Sequence, residues 1–78
     1  MRRVGTVVRT AQGLAIARVD AERESEPPEI GLMVVDESLS TVGRVVDVFG
    51  PVERPYVAVT PADGITLASL MGGKLYAR

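Results

Sequence analysis

The chain has 78 residues, with 9 Lys+Arg against 10 Asp+Glu and no Cys, His or Trp. That length holds one domain over residues 1–78, and with no disulfide or thiolate cage the apolar side chains must carry the fold alone. The composition excludes Ser-His and Cys-His nucleophile pairs and ordinary zinc or haem sites, and a net charge of −1 argues against an autonomous nucleic-acid binder.

The first candidate strand is Val4 to Thr10, where alternation puts Val4, Thr6 and Val8 on one face and Gly5, Val7 and Arg9 on the other. Ala11-Gln12-Gly13 follows as a three-residue connection, and Leu14 to Val19 pairs back as a hairpin. Residues Asp20 to Pro28 combine four carboxylates, Arg23 and two prolines, and read as a solvated acidic surface loop. Ile30 to Val35 is apolar apart from Gly31, so it is either buried on both sides or bent at that glycine. Asp36 to Ser40 is a polar turn with Leu39 as its apolar plug. Thr41 to Phe49 alternates most clearly, with Val42, Arg44, Val46 and Val48 on one face and Gly43, Val45, Asp47 and Phe49 on the other. Gly50 to Pro55 interrupts the pattern, and Tyr56 to Thr60 resumes it as a fifth strand. Ile65 to Met71 has room for one helical turn with Thr66 as N-cap, and Lys74 to Ala77 is a sixth short strand.

Six short strands in so small a chain predict an all-β fold: a six-stranded closed or nearly closed β-barrel with at most one short helical turn. Closure also removes the edges that Val-rich strands would offer to other chains. The sequence echoes itself once, as Val4-Gly5-Thr6-Val7 and Val42-Gly43-Arg44-Val45, which fits glycine-relieved bends in a barrel.

Few residues point to chemistry. Asp20, Glu22, Glu24, Glu26 and Glu29 are numerous enough for a cation, but they surround a proline-ended linker and read as a solvated charge run. The serines lack a base partner. Asp47, mid-strand among apolar neighbours, reads as a solvent-facing residue or one bonding a turn amide. The first eighteen residues carry Arg2, Arg3, Arg9 and Arg18 and no acid, whereas acids dominate Val19 to Glu29, so the surface charge is polarised. The three aromatics, Phe49, Tyr56 and Tyr76, lie away from the arginine-rich start, unlike the interleaved platforms of RNA-binding sheets. Two of them bracket Gly50-Pro51-Val52-Glu53-Arg54-Pro55, whose prolines lower the entropy lost when a loop docks. Aromatics beside a rigid loop are typical anchors of protein–protein contacts. Phe49 alone reads equally as the single large core residue with Tyr56 capping the barrel, but the loop as a whole reads as interface.

The stretch Thr41-Val42-Gly43-Arg44-Val45-Val46-Asp47-Val48-Phe49-Gly50-Pro51-Val52, with Pro55-Tyr56-Val57-Ala58-Val59 after it, resembles the core motif of the Gar/Naf family. That family provides the β-barrel subunits of H/ACA small ribonucleoproteins, and its motif reads VGxVxDVFGPV followed by PYVAV. The resemblance implies a translation-protein-like barrel of archaeal type, without glycine-arginine-rich tails. It also implies a cytoplasmic, non-catalytic subunit with no cofactor. Such a subunit would bind the pseudouridine synthase of an RNA-guided modification complex and aid substrate turnover in rRNA modification and ribosome biogenesis. RNA would be met only through the complex, and no membrane is involved. Carried over by position, Phe49, Gly50, Pro51, Val52, Pro55 and Tyr56 are the partner-binding residues, and Gly43 and Asp47 are structural motif residues. A transient assembly factor of the same family would occupy the same synthase surface. The alternative is a PRC-type barrel adaptor in ribosome maturation, which lacks the GPV…PY loop.

Overall fold

The structure, a computed structural model, describes residues 2–19 and 28–77. β-Branched residues flanked by turn formers fall into six strands: β1 (Arg2–Ala11), β2 (Leu14–Val19), β3 (Met33–Val35), β4 (Thr41–Phe49), β5 (Tyr56–Pro61) and β6 (Lys74–Ala77). They close into an antiparallel barrel in the order β1-β2-β5-β4-β3-β6. One 3-10 turn, Leu67–Leu70, precedes β6, and the Ser69 hydroxyl donates to the Thr66 carbonyl at 2.7 Å. Thr66 occupies the N-cap position but makes no side-chain cap bond. The all-β barrel expected from the sequence is therefore present, and it is closed.

Several local expectations are corrected. Ala11 pairs with Leu14, so the first hairpin turns on two residues, not three. Gln12 (φ 54°) and Gly13 (φ 79°) are both left-handed, the tightest turn that matches strand twist. β3 starts at Met33, not Ile30, because Gly31 (φ 97°) bends the chain and leaves Ile30 exposed. Leu39 does not plug its turn. The Asp36 carboxylate accepts from the amides of Ser38 (2.8 Å) and Ser40 (3.0 Å), a closure that turns Leu39 to φ 68° and out to solvent. The acidic stretch expected over 20–28, with candidate ligands Asp20, Glu22, Glu24 and Glu26, lies outside the described residues except for Pro28, which is buried. Glu29 is exposed.

Strict alternation also fails in β1 and β4. Val4 and Val7 are both in the core, as are Val42 and Val45. The register slips between Arg3 and Gly5 and again between Val7 and Arg9 in β1. In β4 it slips opposite Val34/Val35 and between Val45 and Asp47. Each slip inserts one unpaired residue, and the extra residue moves the next side chain to the other face. The core inside is narrow, built largely from valine and alanine with Leu75 and Leu70 as its largest members. Ile65 and Leu67 pack against it from the connection before β6.

These slips recur in a pattern. Gly5 pairs with Val19, Thr6 with Arg18, Val7 with Ala17, Arg9 with Ile16, and Ala11 with Leu14. Correspondingly, Gly43 pairs with Pro61, Arg44 with Thr60, Val45 with Val59, Asp47 with Ala58, and Phe49 with Tyr56. The third strands follow the same rule: Lys74 and Leu75 face Thr6 and Gly5 as Met33 and Val34 face Arg44 and Gly43. Even the lead-in to each is repeated. Gly72 donates to the Val7 carbonyl and Val7 to that of Gly73, as Gly31 donates to Val45 and Val45 to Leu32. The barrel is thus two equivalent halves, β6–β1–β2 and β3–β4–β5, joined where Ala15–Val59 and Ala17–Val57 pair across β2 and β5. The VG-x-V echo is the sequence trace of this duplication. At both sites a Cβ on the glycine would collide with the facing carbonyl, of Arg18 for Gly5 and of Thr60 for Gly43, so the strands approach only because that atom is missing.

Candidate protein-docking site

The β4–β5 connection is where the two hairpins differ. Its partner hairpin, β1–β2, closes on Gln12-Gly13, whereas Phe49 and Tyr56 are separated by Gly50 to Pro55. The base of this longer loop is aromatic. Phe49 and Tyr56 face each other in the register and their rings stack with centroids 5.8 Å apart and planes inclined by 21°. Such a pair contributes about 0.5–1.5 kcal/mol beyond the area it buries. Gly50 (φ 93°) then lies against the Tyr56 ring, where a Cβ would come within 2.9 Å of Cδ2. Glycine is needed there for two reasons, conformation and space.

Beyond Gly50 the chain runs outward. Pro51, Val52, Glu53 and Arg54 are exposed, and Val52 at 97% is as open as an apolar side chain can be. Pro55 returns half-buried, and its carbonyl accepts from the Val19 amide at 3.0 Å, tying the loop to the end of β2. Proline at both ends, a ring stack beneath and a hydrogen bond to the neighbouring hairpin hold the apolar tip in place. A rigid tip loses little entropy on docking, and burying Val52 contributes about 1.5–3 kcal/mol.

The sequence-derived residues sort into three places. Phe49, Gly50, Pro51, Val52, Pro55 and Tyr56 form one continuous feature, with Phe49 37% exposed and outside the core cluster. Asp47 sits just before it, exposed, its carboxylate accepting from the Val48 amide at 2.9 Å beyond the strand's second register slip. Gly43 lies at the far end of β4, buried against Thr60, and belongs to the barrel rather than the loop.

Sequence reading did not find what lies beside the loop. A register row runs across five neighbouring strands from Phe49 through Tyr56, Arg18 and Thr6 to Lys74. The core residues Val57, Ala17, Val7 and Leu75, and Val48 packed against that core, precede or follow its members, so the row faces outward. Only strand register places these residues together, and no motif in the sequence marks them. Near Gly43 is a shallow groove of about 180 Å³, lined by Met33, Gly43, Arg44, Thr60, Pro61 and Ala62. A larger hollow of about 490 Å³ lies between the Asp36–Ser38 turn and the 3-10 turn. Asp36 and Ser69 in its wall are already engaged with backbone groups.

Fold and site together define a small closed β-barrel presenting a stiff, apolar-tipped loop on an aromatic base. The whole chain, residues 1–78, matches the family described as Gar1/Naf1 RNA binding region, and it belongs to that family. The family description attaches RNA binding to the matched region. The barrel superposes on the Gar1 domain of Naf1 with a TM-score of 0.70 over 99% of this chain and 81% of that one, at 14% sequence identity. An uncharacterized protein of Methanocaldococcus jannaschii is 40% identical over 53 residues, 68% of this chain. The match spans 58% of that relative's length.

Proposed function

We propose that the chain is an accessory subunit of an H/ACA-type RNA-guided pseudouridylation particle, seated on the catalytic pseudouridine synthase through the 49–56 loop. It acts in the cytoplasm, aids substrate turnover in rRNA modification and ribosome biogenesis, and meets RNA through the assembled particle. Family membership supports the setting. The observation that carries the docking role is Val52, 97% exposed at the tip of a loop held by two prolines and a ring stack. A barrel that needed only to close this hairpin would use two residues, as its other half does.

Mixing the chain with the synthase in the absence of RNA tests this. A complex stable at micromolar concentration is expected. Val52→Asp should abolish it without touching the fold, because Val52 makes no contribution to the core. Tyr56→Ala should weaken it by about 2 kcal/mol or more, roughly thirtyfold, as removal of a central aromatic anchor does. Pro51→Ala should weaken it less, through lost rigidity. Absence of a complex, or binding unmoved by Val52→Asp, would refute the loop as the dock.

A further inference from the structure

The two equivalent halves make a control for each other. Strands of the β6–β1–β2 half carry Arg2, Arg3, Arg9, Arg18 and Lys74 and no described carboxylate. Strands of the other half carry Arg44 and Asp47, with Asp47 standing where the first half has Arg9. The outward row beside the loop is likewise one-sided. Lys74, Thr6, Arg18, Tyr56 and Phe49 line up across it. The mirror positions hold Met33, Arg44 and Thr60 in one register row, with Leu14 and Ala11 in place of the two rings. The same strand pairing is made with either set, so the pairing scheme itself does not call for the rings or for cations at both Arg18 and Lys74.

We infer that this row is the flank of the docking face, and that the protein seated on the loop lays a carboxylate-bearing strip along it, over β2, β1 and β6. This rests on the loop being the synthase dock. Continuity carries the inference: Phe49 and Tyr56 belong both to the loop's base and to the row. Charge supplies the complement. Arg18 is exposed, Lys74 is half-buried, and no carboxylate shares the row with them. RNA is the less fitting occupant. Base stacking needs open ring faces, whereas one face of each ring here is turned to the other and Gly50 lies beside Tyr56.

The test titrates the RNA-free synthase subunit into the wild type, Arg18→Glu, Arg18→Glu/Lys74→Glu, and Arg44→Glu as the mirror control, at low and physiological ionic strength. Charge reversal at the row should weaken binding roughly tenfold or more, chiefly by slowing association, and should flatten the salt dependence. Arg44→Glu should stay within about twofold. Should Lys74→Glu disturb folding, Arg18→Glu alone still decides, since Arg18 is exposed. Wild-type binding with no effect of Arg18→Glu overturns the inference while leaving the loop reading intact, and so does an equal loss from Arg44→Glu. A loss seen only when guide RNA is added assigns the row to RNA and also overturns it. If the wild type itself fails to bind, the loop reading falls and the inference with it.

Discussion

Hairpins β1–β2 and β4–β5 share a glycine, a slipped residue and a pairing scheme position by position, but they end differently. In the first, Ala11 and Leu14 close on the left-handed pair Gln12-Gly13. In the second, Phe49 and Tyr56 stack and then release a loop from Gly50 to Pro55 into solvent. What the hairpins share is what the barrel requires. What they do not share is free to serve something outside the barrel, and the difference is a rigid apolar projection.

The largest effects should fall on what is shared. Gly43→Ala and Gly5→Ala each drive a methyl into a facing carbonyl on the neighbouring strand, where backbone has nowhere to retreat. Both should cost about 3 kcal/mol or more, enough to unfold most of so small a domain, as read by thermal unfolding followed by circular dichroism. Equal penalties would support the equivalence of the halves, and a mild effect at one site would break it.

The turn glycines should separate next. Gly13→Ala meets open space and bears only the left-handed backbone penalty, about 1 kcal/mol. Gly50→Ala bears that penalty and also presses on the Tyr56 ring, for about 2 kcal/mol in chemical denaturation and a displaced Phe49–Tyr56 stack. If Gly13 proves the costlier of the two, the Tyr56 ring does not crowd position 50 as the geometry requires. Asp36→Ala, removing one carboxylate oxygen shared by two exposed amides, should cost about 1 kcal/mol and leave the docking loop unaffected.

Strand positions were legible because valine-rich runs between Gly, Pro and acidic turns have few other uses, and β4 and β6 have the bounds expected. Side-chain direction in β1 and β4 was not, since inserted residues at Val4, Val8, Val42 and Val46 reverse facing without leaving any compositional mark. The duplication was visible only as VG-x-V. Unequal loops shift the two halves out of a constant spacing, and the third strand of one half precedes its hairpin while that of the other comes last in the chain. The loop residues stood out through their prolines and aromatics, although whether Phe49 was core or surface depended on a partner, Tyr56, that only the register supplies. Arg18 and Lys74 are far apart in sequence and carry no shared signature, so their row could be found only in three dimensions.

Replacing residues 50–55 with Gln-Gly would make the second hairpin end as the first does. The shortened chain should fold with undiminished thermal stability, since the turn matches strand twist and less loop must be ordered, and it should no longer bind the synthase. A shortened chain that folds and still binds with wild-type affinity would contradict the assignment of the loop to docking.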